Sequence, residues 1–239
     1  RRQRQMCIRD SDISDFILQC AEEIGINTSL DEVGSPETNQ DQNFYKKINK
    51  YSCVIFFARL GDQNRFEKKG FSTKRVMSYV RDCKSLASIF GTLDYNFNML
   101  IKNAIDQLIE NSNIIKINCP LGTNLTGEIA PDNSETTEVS VLRFPILVPK
   151  PVDAKPFSGK VVLNNYLTST GSRFYKPNFI KINSEVTIHI ENGRIADIQG
   201  RYDDVNNIQN HYAYVSQKFD IDMRAVHSWH PGIHPGLSL

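Results

Sequence analysis

The run Ser52-Cys-Val-Ile-Phe-Phe-Ala58 is apolar at successive positions, not alternate ones. A strand covered on one face alternates apolar and polar residues. An unbroken run calls for cover on both faces, which a parallel sheet between helical layers supplies. The neighbouring patterns agree. Ile13, Phe16, Ile17, Cys20, Ala21 and Ile24 recur at helical spacing, and Gly25 stands where such a helix would stop. A turn-rich stretch over 32–42 leads into a polar helix ending near Asn49. A helix or helix pair is expected over 72–88, a strong amphipathic helix over 94–111 and the next strand over 114–117. Helix and strand alternating in this way predict an α/β layer with a mostly parallel sheet.

The texture changes after Pro120. A polar stretch over 124–139 gives way to short β-like runs at 139–142, 160–163, 179–182 and 185–190. Leu121-Gly-Thr-Asn-Leu-Thr-Gly-Glu128 fits a tight strand-turn-strand. Asn192-Gly193 sits between Val-Thr-Ile-His-Ile and Ile195-Ala-Asp-Ile198, the pairing expected of a type I′ hairpin turn. A helix is expected over 203–219. The fold class is therefore α/β, with a mostly parallel N-terminal layer over 12–120 and a β-rich, α+β C-terminal domain over 121–239. Residues 1–11 resemble a translated sequencing adapter, not a basic arm, so the natural sequence is expected to begin inside a helix near Asp12. The chain is expected to be the middle of a longer protein, with both domains truncated.

With 239 residues and a net charge of +1, the chain is long enough for a real core, and its charge makes no case for nucleic acid or an anionic membrane. The cysteines (7, 20, 53, 83 and 119) are widely spaced and form no C-x-x-C pair, as expected of free thiols in a reducing, cytoplasmic setting. No apolar run approaches the ~20 residues of a membrane span.

Candidate chemistry gathers at the C-terminal end. His227, His230 and His234 lie with Trp229, the one tryptophan, in His-Ser-Trp-His-Pro-Gly-Ile-His-Pro-Gly236. Imidazole is the commonest metal ligand and the side chain that titrates nearest neutrality. Pro231 and Pro235 forbid a regular helix, whereas a Pro-Gly turn would fold His230 and His234 back toward one point. The alternative is a turn whose histidines cap carbonyls or stack on Trp229. His-Glu-x-x-His, G-x-G-x-x-G and Gly-x-Ser-x-Gly are all absent. Arg59, Asp62 and Arg65 follow the apolar run, where open α/β sheets bind ligands, and are candidates for gripping a substrate carboxylate or phosphate; a loop-fixing salt-bridge cluster is the competing reading. Glu128 and Asp132 are conceivable metal ligands or solvated carboxylates. His189 alternates with core positions and is expected to face outward, and His211 is expected to be solvated on a polar helix.

Taken in order, Gly122-Thr-Asn-Leu-Thr126, Phe144-Pro-Ile-Leu-Val-Pro-Lys-Pro151, Ser158-Gly-Lys-Val-Val-Leu163, Glu191-Asn-Gly-Arg-Ile195 and Gly232-Ile-His-Pro235 resemble the aminopeptidase T-like metallopeptidases and their relatives, the 2,5-dihydroxypyridine 5,6-dioxygenases. The resemblance covers roughly residues 115 to 239. It implies an α/β domain joined to a β-rich domain with a metal cleft. The peptidase branch uses two divalent metals, and the dioxygenase branch one ferrous iron on two histidines and an aspartate. This chain lacks a carboxylate in 144–149, where the peptidases carry a ligand glutamate, and His230 stands in place of the next one. The resemblance places the family's further ligands beyond Leu239. It thus implies a mononuclear divalent metal, Fe(II) favoured over Zn or Co, with His230 and His234 as ligands and His227 or His234 as proton shuttle. The expected activity is oxygenation of a small polar aromatic or amino-acid-derived substrate. A divergent metallohydrolase with a peptide substrate and a metal-free scaffold protein of a biosynthetic pathway are the alternatives, and homodimerisation stays open.

Overall fold

The computed structural model describes residues 4–32, 46–58, 72–80, 82–129, 140–169 and 175–234, with backbone alone for 4–11. Helix α1 (Arg4–Glu23) ends as its sequence predicts. Gly25 takes φ +79°, its N–H donates to Glu22 O and the N–H of Ile26 donates to Ala21 O, the paired bonds of a Schellman stop. Strand β1 (Cys53–Phe56) pairs in parallel with β2 (Lys74–Ser78). On β1 Phe56 is buried but Ile55 is 45% exposed, so cover on both faces, expected of the apolar run, is not met along the described strand.

Residues 74–78 correct the expectation of a helix over 72–88. Short runs do not separate helix from strand by periodicity, and here distant partners decide. Thr73 Oγ1 donates to Ile48 O and Tyr51 O, at 3.0 and 2.8 Å, and Arg75 Nη2 donates to Ser140 Oγ at 2.6 Å. Helical structure begins only at α2 (Cys83–Ala87), where the Asp82 carboxylate accepts the Ser85 N–H, and continues in α3 (Ile89–Thr92), capped by Ser88. Helix α4 (Tyr95–Glu110) follows, its Asp94 cap accepting the N–H of Phe97 at 2.7 Å.

Strands β3 (Ile114–Asn118) and β4 (Asn124–Glu128) form the predicted strand-turn-strand. Yet β3 does not extend the parallel layer. It is the edge of a five-stranded antiparallel sheet. The chain then returns to the first sheet with β5 (Leu142–Phe144), which pairs in parallel with β2. Two-residue β6 (Val152–Asp153), long β7 (Phe157–Leu163), the small β8 (Tyr166–Thr168) and β9 (Phe179–Lys181) ribbon, β10 (Val186–Glu191) and β11 (Arg194–Gln199) come next. The antiparallel order is β11-β10-β7-β4-β3. The architecture is mixed α/β, and the strands of the two larger sheets interleave along the chain.

Alternation builds the larger core. Val186, Ile188 and Ile190 face inward with Leu125 and Phe157, against Ile208 of helix α5 (Tyr202–Phe219). The β10–β11 turn is the type I′ expected, Asn192 at φ 49° and Gly193 at φ 70°. A Cβ on Gly193 would lie 2.6 Å from Lys155 Cα, so glycine is required there twice over. Helix α5 is tied to the strands by Asp204, 1% exposed. Its carboxylate accepts the N–H groups of Asn183 and Ser184, the Asn183 amide and the Ser184 hydroxyl. These bonds hold the Asp204 pKa below the ordinary range. Cys20, Cys53, Cys83 and Cys119 are free thiols. Among the described residues no helix is long and apolar enough to cross a membrane.

Candidate functional site

The histidine segment is an extended strap, not a turn. Helix α5 stops at Asp220 in the left-handed region, φ 50°. Asp222 then pairs with Arg194 at 2.7 Å, Arg224 O accepts from Ile195 N, and the Val226 N–H donates to Gly193 O. His227 O accepts from Ala154 N at 3.1 Å. Strand β12 (Ser228–Trp229) pairs antiparallel with β6, Trp229 opposite Val152, and Ile233 exchanges both backbone bonds with Leu147. The reversal expected at Pro231-Gly232 is therefore not formed. Five residues of strap, from Trp229 to Ile233, run beside six of the chain from Val152 back to Leu147. Pairing to a distant segment overrides the local turn preference of Pro-Gly. At about 3.3 Å per extended residue, His227 and His234 stand roughly 20 Å apart along the strap, too far for both rings to meet one ion.

The three imidazoles differ in setting. His227 and His230 are exposed, whereas His234 is 8% exposed. Its Nε2 lies 2.8 Å from the backbone O of Phe90, and its ring packs 4.7 Å from the Phe90 ring at 43°. A carbonyl oxygen only accepts, so Nε2 carries the hydrogen. Metal-ligating histidines often have one ring N–H fixed on a carbonyl in this way. Among the described residues, however, no three His, Cys, Asp or Glu side chains gather where they could hold an ion. The described residues thus do not form a metal centre by themselves, and no chemical step is derived through a metal. Arg59, Asp62, Arg65 and Asp132 lie outside the described residues. Glu128 ends β4, exposed.

Helix α4 carries two buried polar groups that sequence reasoning did not single out. Tyr95, Asn98, Lys102 and Asp106 fall on one stripe of α4. At its top the Tyr95 ring packs 6.4 Å from Phe144; lower down, Asp106 Oδ1 accepts the N–H of Lys150 at 2.7 Å. The stripe therefore faces the 144–150 segment, whose Leu147 carries the strap. Asn98 lies between these contacts, 3% exposed, and among the described residues neither its Oδ1 nor its Nδ2 has a hydrogen-bond partner. The buried Tyr95 hydroxyl also has none, and burial raises its pKa. An asparagine among helical apolar positions signals such a group only weakly, because most are solvated.

Elsewhere His189 faces outward on β10, opposite Lys160 and Asp197, as expected. It lines an open groove of about 420 Å³ with Asn124, Ser158, Lys160 and Glu191. His211 differs from its expectation. It is half-buried against Tyr175, with ring centroids 5.5 Å apart and Nε2 3.4 Å from the Tyr175 hydroxyl oxygen, and burial lowers its pKa. A polar helix face is solvated only where nothing crosses it, and here Tyr175 does.

No family model matches the sequence, and no curated protein is similar to it. Among solved structures, the fold is similar to that of 2,5-dihydroxypyridine dioxygenase from Pseudomonas putida KT2440, with a TM-score of 0.52 and 13% identity. The match covers 86% of this chain and 58% of that one, so the chain spans a little over half of its structural neighbour.

Proposed function

We propose that this protein is a metal-dependent enzyme of dioxygenase type, with His234 as one ligand of a single divalent ion, Fe(II) in preference to Zn or Co. The observation that carries the reading is the His234 imidazole, buried and fixed in one tautomer by the Phe90 carbonyl. The fold similarity to a dioxygenase supports it. The remaining ligands then come from outside the described residues, and His227 serves proton exchange at the rim. A bound ferrous ion would supply oxygen activation. The chain's own part is to hold one imidazole rigid, keep it from bulk water behind Phe90 and fix it through the strap to the β10–β11 turn, β6 and the 144–150 segment. The substrate class is a small polar aromatic or amino-acid-derived molecule.

Full-length protein purified anaerobically tests this by ferrous-ion titration and elemental analysis. One iron per chain is expected, with affinity reduced about 10-fold or more in H234A and retained in H189N, whose ring lies on the outer sheet face. Two divalent ions per chain would point to the hydrolase instead. No uptake, or equal uptake by H234A, would overturn the proposal.

A further inference from the structure

Leu125, Phe157, Ile188 and Ile190 turn into the larger core, so the alternate residues of their strands share the outer face of the five-stranded sheet. There the register sets one polar row across the strands. Asn124 pairs with Lys160, Lys160 with His189 and His189 with Asp197. Side chains directly opposite on adjacent strands start about 4.5–5.5 Å apart at Cβ. A group seated over Lys160 is therefore within reach of the Asn124 amide on one side and the His189 ring on the other. Two residues back along β7, on the same face, the Ser158 Oγ accepts the Asn192 N–H at 3.0 Å. That bond fixes the oxygen and leaves the hydroxyl hydrogen to donate. These four side chains and Glu191 line the groove of about 420 Å³, a volume within the ~300–1,000 Å³ usual for small-molecule sites.

We propose that this groove binds a small hydroxylated phosphate monoester, its phosphate over Lys160 and a hydroxyl at Glu191. The Lys160 ammonium, a His189 ring N–H, the Asn124 amide and the Ser158 hydroxyl are all donors, and bonds from such groups to an oxyanion are among the strong ones. A phosphate monoester offers them three terminal oxygens, where a carboxylate offers two. Glu191 is a carboxylate and only accepts, so it takes a ligand hydroxyl and not the anion. Glu191 and Asp197 also set negative charge on the β10–β11 side of the donors. Like charges repel, so one compact anion fits here and a long polyanion such as nucleic acid does not. The site goes beyond the metal reading, since none of its residues is among the proposed iron ligands.

The test needs neither metal nor turnover, so it can fail while iron binding at His234 stands, and the reverse. Amide shifts of the full chain are followed by NMR while glycerol 3-phosphate, inorganic phosphate, acetate or glycerol is added at millimolar concentration and constant ionic strength. Glycerol 3-phosphate is expected to shift residues 158–160 and 189–191 to saturation, and to bind more tightly than inorganic phosphate. Acetate and glycerol are expected to be inert. Lys160→Gln and His189→Asn should each weaken ester binding about 10-fold or more, the worth of one charge-assisted bond. Glu191→Ala should bind ester and inorganic phosphate alike, because the hydroxyl contact is gone. All three positions lie on the outer sheet face, where substitution leaves the core intact. Shifts no larger than those from sodium chloride, wild-type affinity in both K160Q and H189N, or equal affinity of wild type for ester and inorganic phosphate would overturn the proposal.

Discussion

Asp204 carries several contacts at once. Four donors from two adjacent residues converge on its carboxylate, so one ionised side chain fixes the start of α5 against the loop before β10. Because these bonds favour the charged form, its pKa in the fold lies below the unfolded value. The sign follows directly. The unfolded chain binds the proton more readily, so the contribution of Asp204 is complete above the ordinary aspartate pKa of about 4 and is lost as pH falls through the lowered value. Melting temperatures measured from pH 7 down to pH 3 should fall steeply at the acid end for wild type. D204N should start lower at pH 7 and show a flatter acid limb; an unchanged limb would assign the acid sensitivity elsewhere. Residue-scale function was only half legible. Histidines announce themselves as ligand candidates in any sequence. Asn98 does not, because its distinction, the lack of a hydrogen-bond partner among the described residues, appears only in the fold.

At the scale of elements, local signals served where the deciding contacts are local. Helix α4 runs between Asp94 and Asn111, the bounds its capping residues foretell. The Asn192-Gly193 turn and helix α5 are equally self-contained. Substituting Asp94 with Ala should therefore destabilise the protein by about 1 kcal/mol, the usual worth of an N-cap, in chemical denaturation. Gly193→Ala meets both positive φ and a close backbone, and should cost about 2 kcal/mol or more by the same measurement. The misread elements share another property. Strand β2 has helix-like spacing but is set by Ile48, Tyr51 and Ser140, between 22 and 65 residues away. Strand β3 looks like any short apolar strand, and only its partner β4 assigns it to the antiparallel sheet. The strap reads as a Pro-Gly turn until the segment from Leu147 to Asp153 is laid beside it.

For the whole molecule, the strap is the member that ties regions together. It touches the β10–β11 turn at Gly193, β6 at Val152 and Asp153, the 144–150 segment at Leu147 and helix α3 at Phe90. Trp229 lies over Phe157 of the larger core, with ring centroids 6.3 Å apart. Ending the chain after Val226 should lower the melting temperature and increase binding of a hydrophobic dye, since Phe157 and Val152 lose cover. Retention of both properties would show the strap to be dispensable. The interleaving of the sheets also bears on synthesis. Strand β5 closes the parallel sheet, yet it is made only after the β3–β4 hairpin of the other sheet. On the ribosome, β1 and β2 must wait with an open edge until residue 144 has left the exit tunnel. Slow decoding between codons 78 and 142 would prolong that wait and favour capture by a neighbouring nascent chain or a chaperone.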